Sequence, residues 1–345
     1  LRFSFYAQAV LAASAALGIK PDVIHAHDWQ AALIPAILKL QQPDAAVAAA
    51  KTVLTIHNMA FQGLFPLRTA LKAGFSPQDL TFDKLEYHGQ FGMLKSGLGL
   101  ADALTTVSPN YAREIQSSHA FGMGLEGLLS YRSRDLHGIV NGVDRAQWNP
   151  ATDKTIAFNY DASSAAQGKK ENKTTFQARL GLTIDASAPV FGVVARLSHQ
   201  KGIDLIAEIT PEIVRLGGQL ILTGSGDADY VQWLKDLQAR HPKHVFINAA
   251  FSEDFARHIL AAADFLLMPS RFEPCGLSQM MAQWYGALPL VTRTGGLADT
   301  VKDFRESPEG DGIFIEDFSA RGLSKAVAAA VALYGDAQAH GGVRH

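Results

Sequence analysis

The alternation of short apolar runs with helical stretches constrains the fold of this chain more than any other feature. The apolar runs have the length of strands, and helical patterns or turn residues separate them. The strand candidates of a first series are 22–27, 52–57, 103–108 and 138–140; those of a second are 190–197, 219–224, 244–250, 264–270, 288–293 and 312–315. Strands that alternate with helices form parallel sheets covered on both faces. We therefore predict an α/β fold with two doubly wound, Rossmann-like domains.

A polar stretch separates the two series and suggests the domain boundaries. Residues 141–173 are rich in turn residues and show little periodicity, which is typical of a linker. We predict a first domain over 1–148, a linker and the start of the second domain over 149–186, and a second domain over 187–345. The helices expected around these strands are 30–40, 92–101, 110–116, 125–132, 228–240, 253–262, 276–286 and 319–334.

Composition excludes some partners. The chain has 31 Lys and Arg against 33 Asp and Glu, so no bulk charge attracts nucleic acid or an anionic membrane, and any anion must be bound by local groups. The single cysteine, Cys275, excludes an intrachain disulfide and fits a reducing compartment. The apolar segment 3–21 resembles the core of a signal peptide, but Gly18 and Pro21 favour a helix that ends there.

Two cations follow the first strand of the second series. Arg196 and Lys201 flank a short loop that opens a helix. A helix N-terminus beside two cations at the carboxyl end of a strand suits phosphate better than ordinary surface charge does. The next loop, 222–230, has glycines for a tight turn and is either a nucleotide loop or merely a turn.

Gly122, Gly124 and Gly127 spell the glycine pattern of dinucleotide-binding loops, but polar residues precede them where that loop requires a strand. We reject a dinucleotide role and expect a Gly-rich start of helix 125–132 that could face a ligand.

His25 and His27 share one strand face and could ligate a metal. Because the further ligands are missing, we favour a polar strand end and predict no metal site.

Several other polar residues end strands and could bind a ligand. His57 and Asn141 each follow a strand, and each could contact a sugar or simply cap a turn. Glu273 lies between strand 264–270 and a helix, where a carboxylate is either a helix cap or a ligand group. The next strand is followed by Thr294, Gly295 and Gly296, whose amides could hold phosphate or sugar oxygens. An acid beside an amide nest suits a polyhydroxyl ligand that carries phosphate.

Taken together, these residues resemble the bacterial glycogen synthases and plant starch synthases, glucosyltransferases of the two-Rossmann GT-B type. SRFEPCGLSQ followed by RTGGLADTV is highly specific, and Met281 stands where many other transferases of this fold have a second Glu. The matching stretches, in family order, are DVIHAHDWQAAL, TIHNMAFQG, LKSGLGLADALTTVSPNYAREI, GMGLEGLL, GIVNGVD, ARLSHQKGID, PSRFEPCGLSQ and RTGGLADTV.

The resemblance implies transfer of glucose from ADP-glucose to the non-reducing end of an α-1,4-glucan, with retention, in the cytoplasm and without a cofactor. It implies that His57 lies at the donor glucose, that Asn141 contacts the sugar region and that Arg196 and Lys201 bind the diphosphate. It also implies that Glu273 holds glucose hydroxyls. The residues expected to line the same pocket are Cys275, Gly276, Thr294, Gly295 and Gly296.

The chain also departs from the family pattern. It lacks the opening strand with a Lys-x-Gly-Gly donor loop, and its last residues, HGGVRH, stop before the closing helices. We therefore expect an incomplete first domain, and the alternative is an inactive remnant that only binds nucleotide-sugar or glucan. A related GT-B enzyme such as a phosphorylase would need a pyridoxal-phosphate lysine, which we cannot identify. An NAD-dependent dehydrogenase is rejected because no glycine-rich dinucleotide-binding motif follows a predicted strand. The oligomeric state is not indicated.

Overall fold

The computed structural model describes residues 1–41, 43–307 and 309–339. The chain divides into two compact units, Leu1–Asn141 and Gly142–His345. Residues 340–345, where the sequence places the end of the second domain, lie outside the described residues. Both units are built from parallel strands and helices, which confirms the predicted α/β class.

The first unit contains a parallel sheet and a small antiparallel one. Its strands are β1 Val23–His27, β2 Lys51–Ile56, β3 Leu64–Pro66, β4 Glu86–Tyr87, β5 Gln90–Gly92, β6 Ala103–Thr106 and β7 Leu136–Gly138. The four-stranded sheet has the order β1-β2-β6-β7 and is parallel throughout, whereas β3-β5-β4 is antiparallel. The register pairs Thr55 with His27 on one side and Thr105 on the other, so polar residues line up near one edge.

Helices cover the first sheet. They are α1 Arg2–Ala16, α2 Asp28–Ala31, α3 Leu33–Leu40, α4 Ala45–Ala48, α5 Arg68–Lys72, α6 Met93–Leu100, α7 Pro109–Ser117, α8 His119–Gly122 and α9 Glu126–Tyr131, with a 3-10 turn at Pro77–Asp79. The apolar segment 3–21 forms α1 as predicted, and Gly18 follows its end with a φ of +70°. Within the described part of the chain, no helix is long and apolar enough to cross a membrane.

The second unit is a doubly wound sheet. Its strands are β8 Val190–Val194, β9 Gln219–Thr223, β10 Val245–Asn248, β11 Phe265–Met268, β12 Leu288–Thr292 and β13 Ile313–Ile315. The six parallel strands have the order β10-β9-β8-β11-β12-β13. The direction of winding therefore reverses between β8 and β11. Ligands of such sheets bind beyond the carboxyl ends of the strands at this reversal.

Helices lie on both faces of the second sheet. They are α10 Ala165–Leu180, α11 Ile203–Arg215, α12 Ala228–Arg240, α13 Glu253–Ala262, α14 Ser278–Trp284, α15 Gly295–Thr300 and α16 Ala320–Ala339, with a 3-10 turn at His199–Lys201. Every residue of β11 is buried. Phe265 and Leu267 join one apolar cluster, and Leu266 and Met268 join another, because successive side chains of a strand point to opposite faces.

Residues 149–186 are more ordered than the sequence indicates. The prediction of irregular structure is wrong for their second half, where α10 forms and buries Lys169, Asn172 and Lys173. In the first half, the buried carboxylate of Asp153 accepts hydrogen bonds from Arg257 at 3.2 Å and from the Tyr285 hydroxyl at 2.6 Å. Sequence patterns miss such a segment because its buried positions are polar residues that find partners inside the protein.

Two lysines attach α10 to the rest of the unit. The Lys173 ammonium lies 2.7 Å from Asp264 and 2.7 Å from the Tyr334 hydroxyl. The Lys169 ammonium donates to the carbonyls of Tyr285 at 2.9 Å and of Leu260 and Ala261 at 3.3 Å, near the carboxyl ends of α14 and α13. Its burial lowers the pKa of Lys169 to about 7. The Lys169 ammonium lies at the carboxyl ends of α13 and α14, where positive charge is favourable, and Lys173 reaches α16 through Tyr334. The two lysines therefore connect α10 with three other helices.

Other differences concern boundaries. The predicted helix 30–40 is broken at Ala32 into α2 and α3, and the strand predicted at 138–140 lies at Leu136–Gly138. The small antiparallel sheet was not predicted because its strands are two or three residues long and carry no alternation to read.

We predict that Lys173→Met lowers the free energy of unfolding by about 3 kcal/mol, because it leaves the carboxylate of Asp264 without its ammonium partner. Lys170→Met is the matched control: Lys170 is exposed on the same helix, and we expect a change within about 0.5 kcal/mol. Urea denaturation of both variants measures the difference. Equal stability of the two variants would show that α10 is not held by the Lys173–Asp264 pair.

We also predict a pH-dependent contribution from Asp303. Burial opposes its charge, but hydrogen bonds from Arg305 and from the amide of Phe314 lower the pKa of Asp303 from 3.8 to about 2. The carboxylate therefore stabilises the fold above pH 3.8, by about 2 kcal/mol, and this contribution is lost as pH falls toward 2. Asp303→Asn should cost that amount at pH 7 and progressively less below pH 4. Denaturation curves that differ equally at pH 7 and pH 3 would contradict this.

Candidate functional site

The candidate site lies where two loops leave the sheet of the second unit at its winding reversal. After β8 the chain runs through the turn His199–Lys201 into α11. After β11 it runs through residues 269–277 into α14. Because the carboxyl ends of parallel strands meet at one edge, both loops lie at the edge where Rossmann-like sheets bind ligands.

A charge pair joins these loops. The Lys201 ammonium contacts Oε2 of Glu273, and the Ser270 hydroxyl donates to the same oxygen at 3.1 Å. Glu273 is only 6% exposed, so its carboxylate is held inside a recess. The cavity beside the pair has a volume of about 70 Å³ and is lined by Val193, Val194, Ala195, Lys201, Leu267, Met268, Ser270, Glu273, Gly276, Leu277 and Ser278.

Gly202 allows the turn that carries Lys201 to approach the neighbouring loop. It has a φ of +65°, and a Cβ at this position would overlap the carbonyl oxygen of Pro269. Arg196, the other predicted phosphate ligand, lies exposed at the start of the same loop. Its guanidinium is 3.5 Å from the amide oxygen of Gln200.

The glycines after β12 serve backbone packing. A Cβ on Gly295 would overlap the carbonyl oxygen of Glu273, and one on Gly296 would overlap that of Cys275. The Gly296 amide donates to the Glu273 carbonyl at 3.0 Å. The protein itself therefore uses this amide, which corrects the expectation that it binds a ligand oxygen. Thr294 precedes α15, and its own amide donates to the Thr292 carbonyl at 2.9 Å.

The glycines of loop 222–230 act in the same way. A Cβ on Gly224 would overlap the carbonyl oxygen of Ala195, and one on Gly226 that of Leu197. The Leu197 amide donates to the Ser225 carbonyl at 2.9 Å, and the Asp227 amide donates to the Leu197 carbonyl at 2.8 Å. Residues 222–230 therefore pack against the loop that follows β8. This role favours a structural turn over a nucleotide-binding loop for this segment.

In the first unit, polar groups cluster at the ends of β1 and β2. The backbone amide of His57 donates to the Asp28 carboxylate at 2.7 Å. The Nε2 atom of the His57 ring lies 3.0 Å from Nδ1 of His27. His25 Nε2 is 2.6 Å from the Thr55 hydroxyl, and its ring stacks on that of His27. Burial and the two neighbouring histidines lower the pKa of His27. No group of three or more His, Cys, Asp or Glu among the described residues is arranged to hold a metal ion.

The Gly-rich stretch lies between two short helices. Gly122 ends α8, and Gly124 has a φ of +92° and donates its amide to Glu126 at 2.8 Å. The Gln62 amide donates to the Met123 carbonyl at 2.9 Å and so connects this turn to the loop after β2 that carries His57. Helices α7 and α8, and not a strand, lead directly into these glycines, in agreement with the rejected dinucleotide role. Asn141 lies beyond β7, at the end of the first unit.

Sequence reasoning missed some residues of these sites. Ser270 contacts the predicted Glu273, and its position directly after a buried strand could have signalled it. Asp28 supports His57 and has a φ of +55°, which is unusual for a residue other than glycine. Arg271 bonds to Asp204, and nothing in either local pattern pairs these two residues.

Comparisons with known proteins agree with this architecture. Residues 1–131 match the family model "Starch synthase catalytic domain", and residues 188–332 match "Glycosyl transferases group 1". The glycogen synthase of Geotalea daltonii is 43% identical over 97% of this chain and 69% of its own length. Glycogen synthase 2 of Geobacter sulfurreducens is 45% identical with the same coverage.

Solved structures give the same answer. The catalytic domain of starch synthase IV from Arabidopsis thaliana, bound to ADP and acarbose, matches with a TM-score of 0.90 and 32% identity over 96% of this chain and 70% of that one. Sucrose-phosphate synthase from Thermosynechococcus elongatus, at 19% identity and a TM-score of 0.59, shares the fold. The predicted GT-B fold class is thus confirmed, and the chain belongs to the glycogen synthase and starch synthase family of glycosyltransferases.

Proposed function

We propose that this protein transfers glucose from ADP-glucose to the non-reducing end of an α-1,4-glucan with retention, as a step of glycogen biosynthesis. The observation that carries the proposal is the Lys201–Glu273 pair, which places a cation and a buried carboxylate in one recess at the winding reversal of the sheet. The family membership supports it, and so does the binding of ADP and acarbose by the similar starch synthase IV.

Lys201 and Arg196 bind the diphosphate of the donor. Both lie on the loop after β8, one in the recess and one exposed near its start. Departure of a nucleoside diphosphate leaves negative charge on a phosphate oxygen, and fixed cations stabilise that charge in the transition state. An arginine fork and a lysine point charge are complementary ligands for two phosphates.

Glu273 holds hydroxyls of the transferred glucose. Its Oε2 already contacts Lys201 and Ser270, and neither contact uses Oε1, which we assign to a hexose hydroxyl. The pair therefore connects the two halves of the donor: the lysine faces the phosphate and the carboxylate faces the sugar. Gly276 lines the cavity beside the pair, and we propose that Cys275, Thr294, Gly295 and Gly296 surround the bound donor next to it, with Gly296 contributing its backbone surface rather than its amide.

The reaction proceeds on one face of the sugar. The bond between the anomeric carbon and the phosphate oxygen breaks, and the acceptor hydroxyl oxygen forms the new bond on the same face. The hydroxyl proton passes to the departing phosphate, so ADP leaves and no base is consumed. Glu273 then binds and does not attack.

The remaining roles follow the resemblance. The resemblance places His57 at the donor glucose and Asn141 at the sugar region, and we include Gly122 and Gly124 among the substrate-binding residues. We also propose a cytoplasmic location and a reaction without metal or cofactor, with no nucleic-acid or membrane partner.

We predict that Glu273→Gln lowers kcat by about 10²- to 10³-fold, because the transition state loses a charged partner of the sugar. Affinity for ADP should stay the same or increase, since Lys201 is released from its carboxylate. Glu208→Gln, an exposed carboxylate on α11, is the control and should change neither quantity. Incorporation of labelled glucose into glycogen measures kcat, and calorimetry measures ADP binding.

Two results would contradict the proposal. A covalent glucosyl adduct on Glu273 would replace the same-face reaction with a nucleophilic one. A wild-type protein that binds ADP-glucose but incorporates no label would support the non-catalytic alternative.

A further inference from the structure

We propose that Arg271 is a positioning residue that fixes the separation between Lys201 and Glu273 through its paired hydrogen bonds to Asp204. The inference rests on the proposed function, because it assumes that these two side chains bind one donor. Arg271 lies two residues before Glu273, whereas Asp204 lies three residues after Lys201. A link between them therefore spans the two loops that carry the site.

The link is bidentate. Arg271 Nη1 donates to Asp204 Oδ1 at 3.0 Å, and Nη2 donates to Oδ2 at 2.6 Å. Two parallel hydrogen bonds between a planar guanidinium and a carboxylate fix orientation as well as distance. The hydrogen bonds from Arg271 also lower the pKa of Asp204, as expected for a carboxylate paired with a guanidinium.

Arg271 contacts the lysine-bearing turn directly as well. Its Nη1 donates to the carbonyl of His199, and its backbone amide donates to the carbonyl of Gln200 at 2.8 Å. The guanidinium also lies over the ring of Phe318, 4.4 Å from its centre, which restricts the side chain. Arg271 thus binds two carbonyl oxygens of the turn His199–Lys201 and, through Asp204, the first turn of α11.

A second bridge runs in the opposite direction. The side-chain amide of Gln200 donates to the carbonyl of Phe272 at 3.1 Å. Each loop therefore donates a side chain to the backbone of the other, and Lys201 and Glu273 lie at the inner end of this ladder. Gln200 and Arg271 themselves need not contact a ligand. The residues that do so are Lys201, one position after Gln200, and Glu273, two positions after Arg271.

This arrangement has a chemical consequence. Cleavage of the bond between the bound phosphate and the bound hexose depends on how the two groups are held relative to each other, and a misplacement of about 1 Å can cost about 10²-fold in rate. Lysine cannot reproduce the effect of Arg271, because a single ammonium does not form the paired bonds.

The test compares Arg271→Gln and Asp204→Asn with wild type. We expect each variant to lower kcat with ADP-glucose about 10- to 100-fold and to weaken ADP binding about fivefold. Arg271→Lys should recover little of the loss. The matched control is Arg305→Gln, which breaks a similar arginine–carboxylate pair with Asp303 elsewhere in the unit. We expect it to lower the unfolding temperature and to leave kcat and ADP affinity within twofold.

The decisive measurement is made in a Lys201→Met background. If Arg271 acts by positioning Lys201, Arg271→Gln should weaken ADP binding there by less than twofold. An equal fivefold loss in both backgrounds, or folded Arg271 and Asp204 variants with wild-type kcat and affinity, would overturn the inference. ADP binding that depends on Lys201 but not on Arg271 would overturn this inference alone, whereas a wild-type protein without ADP binding would overturn the proposed function with it.

Discussion

The charge pair of Lys201 and Glu273 is the interaction on which the candidate site of the second unit depends. Removing a carboxylate and an ammonium from water is costly, and their attraction offsets that cost only in good geometry. The pair nevertheless lies in a recess where Glu273 is almost completely buried. Stability alone gives little reason for such a pair, whereas a ligand with a phosphate at one end and hydroxyls at the other uses both members.

Backbone packing makes the pair possible. Gly202 approaches Pro269, Gly295 approaches Glu273, and the glycines of the 222–230 loop approach the backbone after β8. Side chains at these positions would force the loops apart. These glycines, among them Gly295, to which sequence reasoning assigns a ligand contact, are thus needed first to bring the loops after β8, β9, β11 and β12 together. The site is a product of that approach.

The strand and helix order could be predicted because buried parallel strands are continuous apolar runs and stand out from their surroundings. For the same reason Arg196, Lys201 and Glu273 could be placed at one edge of a sheet. The structure of α10 could not be predicted, because its buried Lys169 and Lys173 look like solvent-facing residues until their carbonyl and carboxylate partners are known. The Arg271–Asp204 pair was missed because its partners are far apart in sequence and only the fold brings them together.

The central claim is that Lys201 and Glu273 bind opposite ends of one nucleotide sugar, and a crystal structure with ADP and glucose tests it most directly. The account predicts a phosphate oxygen within about 3 Å of the Lys201 ammonium and glucose hydroxyls within the same distance of the Glu273 carboxylate. Phosphates bound away from Lys201, or glucose bound with no contact to Glu273, would contradict it.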